Sequence, residues 1–318
     1  MPYRLGVVMD PIEGITPYKD TTLAMLLEAQ RRGWEIRYLT LADLSLRDGV
    51  AYGDSARLEV RDDNQDWFTL GERIDEALSN LDAILMRKDP PVDSAYAYAT
   101  QILEIAEQAG VLVVNRPAGL RNVQEKLSIT QFPQCCTPTV VEMRAEPLKA
   151  FINAQERAVL KPLHGMGGEA IFVVYAGDPN TSVIIEQLSE RGTRYVMAQR
   201  YLPEISDGDR RILVIDGQPA AFALARLPAA GESRGNLAAG GRGVASALSD
   251  REHWIVEQVR PLLAEQGILF AGLDVIGGYL TEINVTSPTC VREIDAQQQT
   301  NIAGDLFTVI ERRLATPH

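Results

Sequence analysis

The sequence predicts an α/β protein in which a parallel βαβ domain leads into two further α+β units, and three observations carry that expectation. Short apolar runs alternate with amphipathic helical runs through the first third of the chain. A glycine-rich turn joins two strand-like runs in the middle. Near the C-terminus, Asp274-Val-Ile-Gly-Gly-Tyr-Leu-Thr-Glu282-Ile-Asn284 has the alternation of a hairpin. At 318 residues the chain is long enough for two or three domains around separate cores.

Taken in order, Leu5-Gly-Val-Val-Met9 reads as a strand, and Asp20 opens a run of strong helix formers that stops at Gly33. Trp34 to Leu39 and Asp82 to Met86 repeat the strand pattern. Ser94 to Ala109 reads as a helix ended by Gly110, and Val111 to Val114 closes the unit. Ligands bind beyond strand ends in such sheets, so Met9-Asp10-Pro11 and Arg87-Lys88-Asp89-Pro90-Pro91 are either substrate loops or plain turns.

From Glu125 to about Gln199 the pattern becomes a smaller mixed unit. Val159-Leu-Lys161-Pro162 and Ile171-Phe-Val-Val-Tyr175 are strands around Leu163-His-Gly-Met-Gly-Gly-Glu169. Without side chains, Gly165, Gly167 and Gly168 let backbone N–H groups approach a phosphate chain. Val196 to Pro203 runs from a strand into a connector, and Asp207 to Ile215 is a strand with Arg210 and Arg211 at its mouth. Asp216-Gly217 is a hairpin turn. Leu227 to Val244, rich in glycine and poor in bulky apolar groups, reads as a long mobile loop. Ser249-Asp-Arg-Glu252 has the capping-box pattern of a helix that runs to Gln266.

A net charge of -12 argues against nucleic acid or an anionic membrane as the main partner, so an anionic substrate must find a local basic pocket. No apolar run approaches the roughly 20 residues of a membrane span. Met1-Pro-Tyr-Arg-Leu-Gly6 leads into a strand instead of a signal sequence, and the expectation is a cytoplasmic protein. The 3 cysteines and 3 histidines show no disulfide framework and no zinc-ligand spacing. Adjacent Cys135 and Cys136 read as reduced, partly buried thiols, and Cys290 as packing.

The hairpin carries the strongest chemical signal. Its two carboxylates and one carboxamide offer oxygen ligands of the kind a hard cation takes while it holds phosphate, although a surface hairpin of solvated acids has the same pattern. A two-residue turn at Gly277-Gly278 would put Asp274 opposite Thr281 and send Glu282 to the other face. A three-residue loop, Gly277 to Tyr279, pairs Asp274 with Glu282 and keeps Asn284 on the same face. The shared site needs that second register, which is therefore expected, with Val275 and Ile283 turned into the core.

In order along the chain stand Lys126, Lys161, a glycine-rich turn, Gln199-x-Tyr201-Leu202, Asp209, Arg211, a glycine-rich loop with Arg234, and then Asp274, Glu282 and Asn284. That order resembles the ATP-grasp superfamily. More narrowly, nearly the whole chain resembles the bacterial-type glutathione synthetases, through Met9-Asp-Pro11, Met25 to Gly33, Leu85-Met-Arg-Lys-Asp-Pro-Pro91, Lys161-Pro-Leu-His-Gly-Met-Gly-Gly168, Gly235 to Gly243 and Leu280 to Cys290.

The resemblance implies an ATP-grasp fold whose N-terminal βαβ domain, residues 1–122, precedes two units, 123–200 and 201–318, that enclose the nucleotide. ATP would meet Lys126, Lys161 and the backbone of Gly165, Gly167 and Gly168 at its phosphates, the Gln199, Tyr201 and Leu202 connector at adenine, and Asp209 at the ribose. Asp274, Glu282 and Asn284 would hold magnesium, with manganese as the alternative. The implied reaction joins γ-glutamylcysteine and glycine to glutathione through an acyl phosphate. Arg211, Arg234 and Asn284 would be catalytic, and Arg226, Asn236 and Ser287 would contact substrate, each arginine having a surface ion pair as its ordinary alternative. Residues 227–242 would close over the intermediate. The resemblance also implies a homo-oligomer. His164 stands where the family usually has an acid and Glu169 where it has a small residue, so Glu169 is expected to point away from the nucleotide. Another ATP-dependent carboxylate–amine ligase, or a nucleotide-binding regulator without turnover, would share most of these features.

Overall fold

The computed structural model describes residues 2–165, 168–228 and 241–316. The first sheet contains β1 (Arg4–Val8), β2 (Glu35–Leu39), β3 (Leu44–Arg47), β4 (Val50–Val60), β5 (Phe68–Ala77), β6 (Ala83–Met86) and β7 (Leu112–Val114). Strands β2, β1, β6 and β7 are parallel neighbours in that order, connected by crossovers that include α1 (Thr21–Arg31) and α2 (Ser94–Gln108). The predicted helix start is a true cap: Leu23 N–H donates to Asp20 Oδ1 at 2.6 Å, and Asp93 caps α2 in the same way.

The sheet is nevertheless mixed, which corrects the purely parallel expectation. β4 pairs antiparallel with β2, β3 and β5, so residues 44–77 form a ribbon on the parallel core. Sequence reading gave this stretch no strands. Most of β5 is exposed, and a strand that buries so little shows no apolar alternation.

After α3 (Pro117–Asn122) comes a second, antiparallel sheet, in the order β10 (Phe172–Tyr175), β9 (Arg157–Pro162), β11 (Val196–Arg200), β8 (Thr139–Glu142). Helices α4 (Ala145–Gln155) and α5 (Thr181–Leu188) cover one face, where Leu148, Ile152, Leu160, Val174, Ile185 and Val196 form a separate core. The third sheet runs β15 (Arg242–Ala247), β14 (Phe222–Leu227), β12 (Asp209–Ile215), β16 (Phe270–Ile276), β17 (Tyr279–Asn284), with β13 (Gln218–Pro219) beside β12. Its helices are α6 (Asp250–Glu265), α7 (Val291–Gln298) and α8 (Ile302–Leu314). The capping box predicted for α6 is present between Ser249 and Glu252.

The long loop expected from Leu227 to Val244 is shorter than the composition suggested. Leu227 pairs with Arg242, so both ends of that segment belong to strands, while residues 229–240 lie outside the described residues. The expected separate cores are also only partly separate. One buried cluster runs from Val8 and Leu39 through Leu120 and Ile129 to Ile212, Leu273 and Ile283, joining the first and third sheets. Among the described residues no helix is long and apolar enough to cross a membrane.

Among the described glycines, Gly119 makes the closest approach to its surroundings. A Cβ at Gly119 would lie 2.0 Å from the backbone oxygen of Gln266, which no side-chain adjustment can relieve. Gly119→Ala should therefore lower stability by at least about 2 kcal/mol, as overpacking does in close-fitted interiors. Urea denaturation of the purified variant measures it, and a loss under about 0.5 kcal/mol would contradict the contact.

Candidate active site

The turn of the β16–β17 hairpin has two residues, and the predicted three-residue loop is not formed. Gly277 (φ 56°) and Gly278 (φ 79°) are both left-handed, as a two-residue turn with positive φ at both positions requires, and Ile276 faces Tyr279. By parity alone this would have separated Asp274 from Glu282. A bulge restores them: after Val275–Leu280 the register shifts, Asp274 pairs with Glu282, and Gly272 pairs with Asn284. Thr281 is the extra residue. Its hydroxyl donates to the Asp274 carbonyl at 3.1 Å, and its own carbonyl accepts from Lys161 Nζ at 3.2 Å. Val275 and Ile283 are buried, as expected.

Asp274 lies at the centre of a buried charged group. Arg211 grips it with two donors, Nε to Oδ1 at 2.5 Å and Nη2 to Oδ2 at 3.0 Å, while Arg226 Nη2 reaches Oδ2 at 2.9 Å. Gly272 makes room for the first arginine, because a Cβ there would stand 2.8 Å from Arg211 Cδ. Burial alone would raise the Asp274 carboxyl; the Arg211 and Arg226 charges more than offset that and hold it well below the ordinary carboxylate range. Asp209 shares Arg226, at 2.5 Å through Oδ2, and its Oδ1 is buried with no partner among the described residues. Burial raises its pKa, against the opposing pull of Arg226.

Lysines complete the group. Lys126 Nζ donates to the Gly165 carbonyl at 2.9 Å and stands 3.6 Å from Glu282, so it ties the glycine-rich turn to the hairpin. Lys161 is buried, and that burial lowers its pKa. Asn284 Nδ2 donates to the Gly272 carbonyl and to Asp274 Oδ2, both at 3.2 Å. This leaves its oxygen for an outside partner. A carboxylate has about four acceptor directions, and Asp274 Oδ1 receives one donor here. Asp274, Glu282 and Asn284 therefore offer the oxygen set that a hard divalent cation takes. No group of three His, Cys, Asp or Glu is gathered for a metal among the described residues, so a cation site would depend on the asparagine.

All of this opens into one cavity of about 790 Å³ walled by the three sheets. Lys126, Lys161, Gly165, Gly168, Gln199, Tyr201, Leu202, Asp209, Arg211, Arg226, Asp274, Glu282, Asn284 and Ser287 line it. Gln199 donates to Thr139 Oγ1 at 3.1 Å, and the Arg157 guanidinium stacks 3.6 Å from the Tyr201 ring centroid, fixing the connector wall. Gly167, Arg234 and Asn236 lie outside the described residues. Glu169 is exposed and absent from the wall, and His164 is exposed, 2.9 Å from Arg194. Arg210 turns away to Glu252 and Ser246.

The strand-end loops of the first sheet reach the same cavity through Asp10, Pro11, Asp89 and Pro90. Lys88 pairs with Asp10 at 2.9 Å, and buried Arg87 donates to the Pro288 carbonyl at 2.9 Å. Sequence reading missed Lys19, Asp20, Glu125 and Glu293, which also line the cavity. Lys19 and Asp20 belong to the connection after β1, and extending the strand-end argument beyond Pro11 would have found them. Glu125 and Glu293 have no pattern of their own; only packing brings them in.

The family model of the prokaryotic glutathione synthetase N-terminal domain matches residues 3–121, and that of the prokaryotic glutathione synthetase ATP-grasp domain matches residues 125–299. Similar proteins include a glutathione synthetase of Pseudomonas putida, 56% identical over 314 residues and 99% of each chain, and one of Vibrio cholerae, 55% identical over 311 residues and 98% of each. Among solved structures, a D-cycloserine synthetase superposes with a TM-score of 0.69 at 14% identity, covering 98% of this chain and 99% of that one. An ATP-grasp ligase complexed with minimal precursor, Mg and ADP gives 0.62 at 16% identity and 98% coverage of both. At such identities these two show the fold alone, an ATP-grasp fold.

Removing Arg226 would leave Asp209 and Asp274 buried with one fewer cation between them. Arg226→Met should cost about 3 kcal/mol of stability without ligand, as for other broken buried ion pairs. Equilibrium unfolding reads it out; a change below about 1 kcal/mol would mean that water screens the cluster.

Proposed function

The chain belongs to the prokaryotic glutathione synthetase family, and from that premise we propose that it joins γ-glutamylcysteine and glycine into glutathione, using ATP and a divalent cation. The observation that carries the reading is the meeting, in one cavity, of Lys126 and Lys161 with the Asp274, Glu282 and Asn284 face of the hairpin.

In this reading ATP lies between the second and third sheets. Lys126 and Lys161 are the point charges for its phosphates, joined by backbone N–H groups at Gly165, Gly167 and Gly168. Gln199, Tyr201 and Leu202 border adenine, and Asp209 accepts from the ribose hydroxyls through the oxygen that has no partner among the described residues. Asp274, Glu282 and Asn284 would hold magnesium, or manganese in its place, which would supply positive charge against the phosphates.

A carboxylate is a poor electrophile at neutral pH, so the γ-phosphoryl group is transferred to the glycyl-accepting carboxylate of γ-glutamylcysteine. The glycine amine then displaces phosphate from the acyl phosphate and loses its proton as the amide forms. No protein nucleophile is needed; positioning and charge neutralisation supply the catalysis. Arg211 and Arg234 stabilise the transferring phosphoryl group and the later oxyanion, Asn284 keeps its place beside them, and Arg226, Asn236 and Ser287 contact substrate. The strand-end loops of the first sheet form the substrate end, which supports a division into 1–122, 123–200 and 201–318. A cytoplasmic protein without nucleic-acid or membrane partners completes the reading, supported by the net charge of -12 and the free Cys135, Cys136 and Cys290, and the family resemblance adds a homo-oligomer.

Purified protein should form glutathione and ADP only when ATP, the cation, γ-glutamylcysteine and glycine are all present. Glu282→Gln should lower kcat by roughly 10²-fold or more, the scale on which a lost charge-stabilising contact acts, with a smaller effect on nucleotide binding. Efficient joining of a different acid and amine, with no glutathione made, would assign the chain another ligase reaction; nucleotide binding without any turnover would make it a regulator.

A further inference from the structure

The turn that leaves the hairpin, Val285 to Pro288, begins beside Asn284 and carries Ser287 into the cavity wall. Two residues from outside the third sheet grip its backbone. Asn115, which follows β7, is 4% exposed, and its Nδ2 donates to the carbonyls of Phe270 (2.8 Å) and Val285 (2.7 Å). Its Oδ1 accepts from the amides of Leu269 and Phe270, both at 2.8 Å. The side-chain amide thus pairs with Phe270 as a strand residue would and reaches across to Val285, closing the ladder beyond its last pair, Gly272–Asn284. Glu125 takes the opposite side of the turn. Its Oε1 accepts from Val285 N–H (3.0 Å), Thr286 N–H (3.2 Å) and Thr286 Oγ1 (2.9 Å), and its carbonyl accepts from Ile283 N–H at 2.9 Å.

We infer that Asn115 and Glu125 are positioning residues for the cation-holding hairpin. The four hydrogen bonds of the Asn115 amide all end on backbone, and they tie together the two strands that carry Asp274 and Asn284. The tie comes from the end of the first sheet, so the face that holds the cation and the substrate loops after β1 and β6 keep one spacing. Outer groups that orient ligands govern cation affinity without touching the cation. This inference rests on the hairpin being the cation site in the proposed reaction.

The test titrates Mn2+ into the full chain with ADP, followed by the paramagnetic signal of free Mn2+, beside ADP titration without metal. Asn115→Ala should weaken Mn2+ binding about tenfold, change metal-free ADP binding by less than about twofold, and speed hydrogen exchange in residues 280–288. Thr286→Val, which removes one bond to Glu125 and preserves volume, should shift both readouts the same way by a smaller factor. Folded variants with unchanged Mn2+ affinity would overturn the inference, as would an equal loss of metal-free ADP binding. If Asn115→Ala does not fold, Thr286→Val decides by the same measure. Wild-type protein that binds Mn2+ with ADP yet makes no glutathione would overturn the proposed reaction and leave this inference standing; wild-type protein that binds no Mn2+ would overturn both.

Discussion

The two-donor grip of Arg211 on Asp274 is the interaction on which the rest of the site depends. A carboxylate that deep would otherwise take up a proton or draw in water. With Arg211 and Arg226 against it, it stays ionised, and a charged hairpin can sit at the meeting of three sheets instead of on the surface. The same pairing orients neighbouring groups. Asn284 is aligned partly by Asp274, and Asp209 is held by the arginine the two acids share. Buried ion pairs seldom add net stability over an apolar core. Their presence here fits a site that must receive highly charged substrates.

Parity is the second constraint. Side chains on a strand alternate faces, so a turn one residue shorter than the chemistry needs would misplace an acid. The chain takes the turn its two glycines favour and then spends one residue, Thr281, on a bulge. That residue is not idle, since its carbonyl takes the Lys161 ammonium from the second sheet. The irregularity that corrects the register thus also joins two walls of the cavity.

The cavity belongs to no single sheet. Lys126 ties the glycine-rich turn to Glu282, Arg87 ties the first sheet to Pro288, and Asn115 with Glu125 holds the turn between them. Beneath the contacts of Arg87 and Asn115 lies the core shared between the first and third sheets. Ordering of the site therefore comes largely from backbone carbonyls and amides held by side chains distant in sequence.

The sequence by itself determined the local features: the helix starts at Asp20, Ser94 and Ser249, the strands of the parallel core, and a hairpin around Gly277-Gly278. Each depends on neighbours a few residues away, where propensity, capping and alternation act. Only the tertiary structure decided that a two-residue turn with a bulge at Thr281 makes the expected pair of Asp274 with Glu282, the pairing of Leu227 with Arg242, the ribbon of residues 44–77, and the arrival of Glu125, Glu293 and Asn115 at the site. A bulge costs one residue that alternation cannot reveal, and an exposed strand has no apolar pattern. A buried amide that binds only backbone has partners more than 150 residues away, set by packing and not by any neighbour in the chain.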